Sequence, residues 1–269
     1  MSGKTISIGF VIEDGKDGLK KLTMDADALK KVMQGTLKET ASVKQSLKDL
    51  GEVSFGLDAI TGALSSMQGM MKSLTDAYDV QVEAETKLET VMRQRMSATE
   101  AEIQSIKDLC SAQQQLGVIG DEVQLAGAQQ ISTFLQTREA LETLIPAMNN
   151  LVAQQKGLNA TSGDAVNIGN LLGKAMQGQT AALRRVGITF TEAEEKAVKY
   201  GTEQERAAAL AKIITNNVGE MNAALAATPS GKMKQAANNI GDLQERLGGM
   251  VKELQPGITF INQTVLGFS

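Results

Sequence analysis

Residues 19–50 read LKKLTMDADALKKVMQGTLKETASVKQSLKDL, and the apolar spacing in this stretch decides the fold class. Leu19, Leu22, Ala26, Leu29, Met33, Thr36, Thr40, Val43, Leu47 and Leu50 follow one another in alternating steps of three and four, and eight of these ten are apolar. Such steps hold side chains on one stripe of a helix, and a 3.5-residue repeat lets two stripes wind around each other. The segment is expected to be a long helix that pairs with other helices, including those of other copies of the chain. Leu22, Leu29, Met33, Val43, Leu47 and Leu50 form the expected pairing surface.

Upstream, Ile6, Ile8, Phe10 and Ile12 alternate with Ser7, Gly9 and Val11, the period of a strand running from Thr5 to Ile12. A lone strand leaves its backbone groups unpaired, so it must find a partner strand in this chain or in a neighbour. Ile6, Ile8, Phe10 and Ile12 are therefore the expected contact with a neighbouring subunit. A polar turn over residues 13–18 leads into the heptads.

Downstream of Gly51, read as a break, the stripe resumes as Leu57, Ile60, Leu64, Met67, Met71, Leu74 and Tyr78. A third helical stretch runs from Asp79 to Leu116, with Leu88, Met92, Met96, Ile103, Ile106 and Cys110 on its inner side. Within it, Ser97 with Glu100 and Thr99 with Glu102 have capping-box spacing and mark a restart. From Gly117 the texture changes to shorter amphipathic helices. They are expected near Asp121 to Phe134, Glu139 to Lys156, Gly163 to Gln177, Glu192 to Lys199, Glu203 to Val218 and Lys232 to Leu254. Thr191 with Glu194 and Thr202 with Glu205 have the capping-box spacing, and Thr161 with Asp164 approximates it. The tetrapeptide Gly-Ile-Thr-Phe occurs at 187–190 and again at 257–260, each copy read as a short extended piece.

The expected fold is mainly α. It comprises an N-terminal strand (1–13), a long helical or coiled-coil arm (14–116), a compact all-α domain (117–228) and an exit helix (229–269). Aromatic residues make up only 3% of the chain, so the core must come from aliphatic side chains and some of the thirteen methionines. The three prolines leave long stretches free to be helical.

The chain has no histidine, no tryptophan and a single cysteine. A Ser-His-Asp site is excluded, and zinc would have one thiol and no imidazole to bind it. Cys110 falls at a helical inner position and reads as a small buried side chain. Gly169 and Gly173 beside Lys174 do not make a phosphate loop, because three residues rather than four separate the glycines and Ala175 follows the lysine. Their one-turn spacing instead suits close helix packing. Glu83 with Glu85, and Glu192 with Glu194 and Glu195, read as solvated helix faces.

A net charge of -4 without a focused basic cluster argues against nucleic acid as a primary partner. Val53 to Leu74 carries Asp58, Gln68 and Lys72, too polar for a membrane span. No catalytic, cofactor or metal site and no small-molecule substrate are expected.

One run carries a family resemblance. Leu171-Leu172-Gly173-Lys174-Ala175-Met176-Gln177-Gly178 leads into Ala182-Leu183-Arg184-Arg185-Val186-Gly187-Ile188-Thr189-Phe190-Thr191-Glu192-Ala193. Together with Gly201–Ala207 and Leu243–Gly248, it resembles the head region of phage tail tape-measure proteins, internal rods that set tail length. The resemblance covers Leu116 to Pro256, about half the chain. It implies a structural role in a virion tail assembled in the bacterial cytoplasm. The implied partners are further copies and tail tube, tail tip or tail chaperone proteins. Family members are usually much longer, so the apolar end at Thr264–Ser269 is expected to lead into a missing C-terminal part, the only route by which a membrane would be met. The competing expectation is a cytoplasmic helical scaffold or adaptor that binds partners through the same helices.

Overall fold

The computed structural model describes the backbone of residues 8–12, 20–24 and 57–266 and the side chains of residues 72–253. The described part is mainly helical and divides into two units, one formed by 76–246 and the other by residues up to 75 together with 247–269.

In the second of these, strand β1 (Ile8–Ile12) pairs antiparallel with β2 (Lys20–Met24). Ile8 stands opposite Met24, Phe10 opposite Leu22 and Ile12 opposite Lys20. Opposed residues of an antiparallel pair share a face, which places Ile8, Phe10, Ile12, Leu22 and Met24 on one side of the hairpin. The heptad reading is corrected at Leu22, which is a strand residue. Leu22 and Met24 are two apart and satisfy the strand period as well as the helical one, and the ladder they complete supplies the backbone partners that β1 would otherwise lack. Ile6, Leu29, Met33, Val43, Leu47, Leu50 and Gly51 lie outside the described residues.

Helix α1 (Leu57–Met96) is continuous across Tyr78 and Asp79, where the sequence suggested two stretches. It stops at Ser97, whose φ of 51° lies in the left-handed region. Helix α2 (Glu100–Leu116) restarts at a complete capping box between Thr99 and Glu102. Seven further helices follow: α3 (Asp121–Ser132), α4 (Arg138–Lys156), α5 (Ser162–Met176), the single turn α6 (Ala181–Arg184), α7 (Glu192–Tyr200), α8 (Glu203–Val218) and the short α9 (Met221–Ala226). The last helix, α10, runs from Pro229 to Leu266. Capping boxes at Thr161/Asp164, Thr191/Glu194 and Thr202/Glu205 start α5, α7 and α8.

The compact unit begins at Asp76 rather than Gly117, and it extends to Arg246. Leu88, Met92, Ile103, Ile106 and Cys110 are fully buried in the same core as the later helices, so residues 76–116 belong to the body rather than to an arm. At the centre lies α4, with Leu141, Leu144, Ile145, Met148, Leu151 and Val152 all at 0% exposure. The start of α4 is capped from across the fold, because Gln136 and Thr137 donate their backbone N–H groups to the Glu203 carboxylate of α8 at 2.8–3.1 Å.

Helices α3 and α5 meet through glycine. A Cβ at Gly169 would stand 2.6 Å from the Gly127 carbonyl oxygen, and one at Gly173 would stand 2.0 Å from the Phe134 ring. Both glycines belong to a helix contact, as their spacing predicted.

The two Gly-Ile-Thr-Phe copies differ. The first begins in the turn after α6, with Gly187 at a φ of 89°, and is not helical. Ile188 is buried there, and its N–H bonds to the Leu183 carbonyl at 3.1 Å. Thr189 is held by Asn217, which accepts from its N–H at 2.9 Å and donates to its carbonyl at 3.2 Å. Phe190 lies 5.5 Å from the Arg184 guanidinium. The second copy lies inside α10, so the extended reading of it is corrected.

Candidate functional site

The densest gathering of buried polar groups in the compact unit surrounds the turn over residues 117–120, between α2 and α3. Val118 and Ile119 are 1% exposed, and a turn buried this deeply must have its backbone satisfied from inside the protein. Asn222, at the start of α9, accepts the Val118 N–H at 2.8 Å and the Ile119 N–H at 3.3 Å. The Asn222 N–H donates to Asn150 Oδ1 at 3.1 Å, and Asn150 Nδ2 donates to Glu220 at 2.9 Å. Gln124 Nε2 donates to the Ile119 carbonyl at 2.8 Å, and its own Oε1 accepts from Asn149 at 2.8 Å. Five amide side chains, Gln114, Gln124, Asn149, Asn150 and Asn222, thus tie four helices to one turn.

Gln114 links this network to a group of carboxylates. Its Oε1 accepts the Asp121 N–H at 2.7 Å, and its Nε2 donates to both oxygens of Asp242 on α10 at 2.9 and 3.0 Å. Asp121 Oδ2 accepts from the Ser111 hydroxyl at 3.4 Å, whereas Asp121 Oδ1 is buried without a hydrogen-bond partner. Burial, reinforced by the charges of Glu122 and Asp242, pushes the Asp121 carboxyl up to about 7. Glu245, 9% exposed, lies against Glu122, and burial together with its hydrogen bond to that carboxylate raises it well above the ordinary range. Cys110 stands behind them at 0% exposure, its thiol pushed up by burial and by Asp121, and so it is kept in the unreactive protonated form.

Among the described residues, no three metal-ligating side chains converge in a way that would hold an ion. A shallow surface groove of about 460 Å³ is lined by Glu83, Thr86, Lys87, Thr90, Val91 and Gln129. Glu83 is ion-paired with Lys87 there at 2.5 Å. No described helix is long and apolar enough to cross a membrane.

Of the residues singled out in the sequence for interaction, the structure brings Ile8, Phe10, Ile12 and Leu22 to one hairpin face. The amide and carboxylate site was not foreseen. Its signal was the pair Asn149-Asn150 set among Leu144, Ile145, Met148, Leu151 and Val152, polar residues on what the spacing makes an inner face. No family model, curated protein or solved structure matches this chain.

Proposed function

We propose that this chain is a structural protein of a phage or prophage tail, the tape measure whose extended helices set tail length and nucleate tube assembly. The run from Leu171 to Ala193 carries this reading. Its resemblance to the tape-measure head region rests on Gly173, Leu183, Ile188, Phe190 and Thr191. Each has a packing or capping task, which suits a motif that preserves architecture rather than chemistry.

The helix lengths support the same reading. At about 1.5 Å per residue, the 40 residues of α1 and the 38 of α10 run about 60 and 57 Å. A ruler works by geometry, because a chain held extended inside a growing tube ends growth at a length proportional to its own. In this reading the heptads from Leu29 to Leu50 form a coiled-coil arm that associates copies, and the compact unit docks on tail tube, tip or chaperone proteins. The hairpin face of Ile8, Phe10, Ile12 and Leu22 offers a contact to a neighbouring subunit. The protein would be found in the virion tail after assembly in the host cytoplasm.

The test is an in-frame deletion of four heptads, Ala26 through Val53, which spares both strands. Tails measured by electron microscopy are expected to shorten uniformly by roughly 42 Å, 28 residues at about 1.5 Å each. Tails of unchanged length would remove this segment from the ruler. Absence of the chain from purified particles would favour a cytoplasmic scaffold.

A further inference from the structure

The first half of α10 lies on the body with its polar side inward. Gln235 donates to the Gln115 carbonyl at 3.0 Å, Asn238 Nδ2 to the Val118 carbonyl at 3.4 Å, Asp242 accepts from Gln114, and Glu245 packs on Glu122. Positions 235, 238, 242 and 245 are steps of three and four, one face of the helix. Met233, Ile240 and Leu243 lie on the opposite face and are 74%, 58% and 48% exposed. An amphipathic helix that folds by burying apolar area does the reverse. This segment therefore draws little hydrophobic stabilisation from its seat, and hydrogen bonds that merely replace bonds to water contribute modestly.

The seat also brings like charges together. The groups facing Glu245 and Asp121 are Cys110, Ser111 and Gln114 from α2, Asp121 and Glu122 from α3, and Asp242 and Glu245 from α10. The charges acting most strongly on Glu245 are Glu122, Asp121 and Asp242, all carboxylates. Donors are scarce, since Gln114 Nε2 is used by Asp242 and the buried Asp121 Oδ1 has none. A proton on Glu245 supplies the missing donor, an O–H directed at Glu122, and removes one of the charges.

We propose that residues 229–246 form a proton-held latch: α10 rests on α2 and α3 while the buried Glu245 carries a proton, and lifts from them when Glu245 ionises. A carboxyl whose docked-state pKa exceeds its free value favours docking fully below the free value. That advantage drains as pH rises through the raised one. Docking is therefore tightest in acid and loosens from about pH 4.5 upward through neutrality. This inference is independent of the tail reading, because it concerns the seating of one helix and holds for a scaffold equally.

Hydrogen exchange of the full chain, corrected for intrinsic amide rates, tests it at about pH 5.5, 7 and 8.5. Protection of the 232–246 peptide is expected to fall at least about tenfold more across this range than that of 141–153 in α4. Glu245→Gln, a neutral side chain of the same shape, should keep 232–246 protected at the highest pH. Glu122→Gln should do the same and serves as an independent variant should the first not fold. Protection that falls equally in both peptides, or a wild-type pH response in a folded glutamine variant, overturns the latch.

Discussion

Helix α4 and the first half of α10 are both amphipathic, yet they sit in the same body in opposite senses. The former hides Leu141, Leu144, Ile145, Met148, Leu151 and Val152 completely, whereas the latter turns Met233, Ile240 and Leu243 to the outside and offers amides and carboxylates to its neighbours. Fully burying a leucine or isoleucine contributes about 1.5–3 kcal/mol, so α4 is anchored by a term insensitive to pH. The seat of α10 depends on hydrogen bonds near balance with water and on carboxyl protonation. The same chain thus carries a helix that defines its core and a helix that solution conditions can move.

The largest effects should come from the α4 side. Leu144→Ala leaves a cavity at the centre of the core and should lower unfolding stability by about 2–5 kcal/mol in a denaturant titration of the full chain; a loss under about 1 kcal/mol would show that α4 is not the centre. Next in size is Asn222→Ala, which strips the partner from the buried Val118 and Ile119 N–H groups. Orphaning such donors should cost about 2 kcal/mol, and the exchange of the two amides should rise with it. A neutral outcome there would mean that water enters the turn.

The sequence exposed what is local and hid what is tertiary. Thr99, Thr161, Thr191 and Thr202 begin helices because each box is completed within four residues, so spacing alone reveals it. Helix periods in α3, α4, α5, α7 and α8 were legible for the same reason. Leu22 was misassigned because it fits both periods, and only pairing with Phe10 decides between them. The non-helical Gly187–Phe190 is held by Asn217, 28 residues from Thr189, while an identical tetrapeptide is helical in α10. The carboxylate site draws Asp121 and Glu245 from helices more than a hundred residues apart, and nothing in either local pattern announces the other.

The pH responses of the two kinds of carboxylate sharpen the comparison, with about 1–2 kcal/mol expected at Glu245. Glu245→Gln should raise stability over wild type by about that amount near pH 8 and leave it unchanged near pH 4, since only the wild type loses a proton at this position. Loss of stability at both pH values would mean that Glu245 acts through its shape or charge alone. The capping carboxylates have the opposite sign. Backbone and hydroxyl bonds from Thr99, Thr191 and Thr202 hold Glu102, Glu194 and Glu205 below the usual carboxylate range, so their contribution is present above that range and fades as pH falls. Removing one box through Thr191→Ala should cost about 1 kcal/mol at neutral pH. The deficit should shrink in acid, where the partner carboxylate protonates, and a constant deficit across pH would assign the cap to the hydroxyl alone.

The smallest expected effect is the most discriminating for α10. If its outer stripe faces water, replacing Met233 and Ile240 together by serine removes little buried area, and the cost stays small, within about 0.5 kcal/mol. The same replacement at Leu144 and Leu151 of α4 would abolish folding, because those side chains are at 0% exposure. A double variant of α10 that loses more than about 1.5 kcal/mol would mean that the stripe is covered in the folded protein. Helix α10 would then be seated from both sides, its outer contact would hold it down at every pH, and protonation of Glu245 could no longer decide whether it lifts.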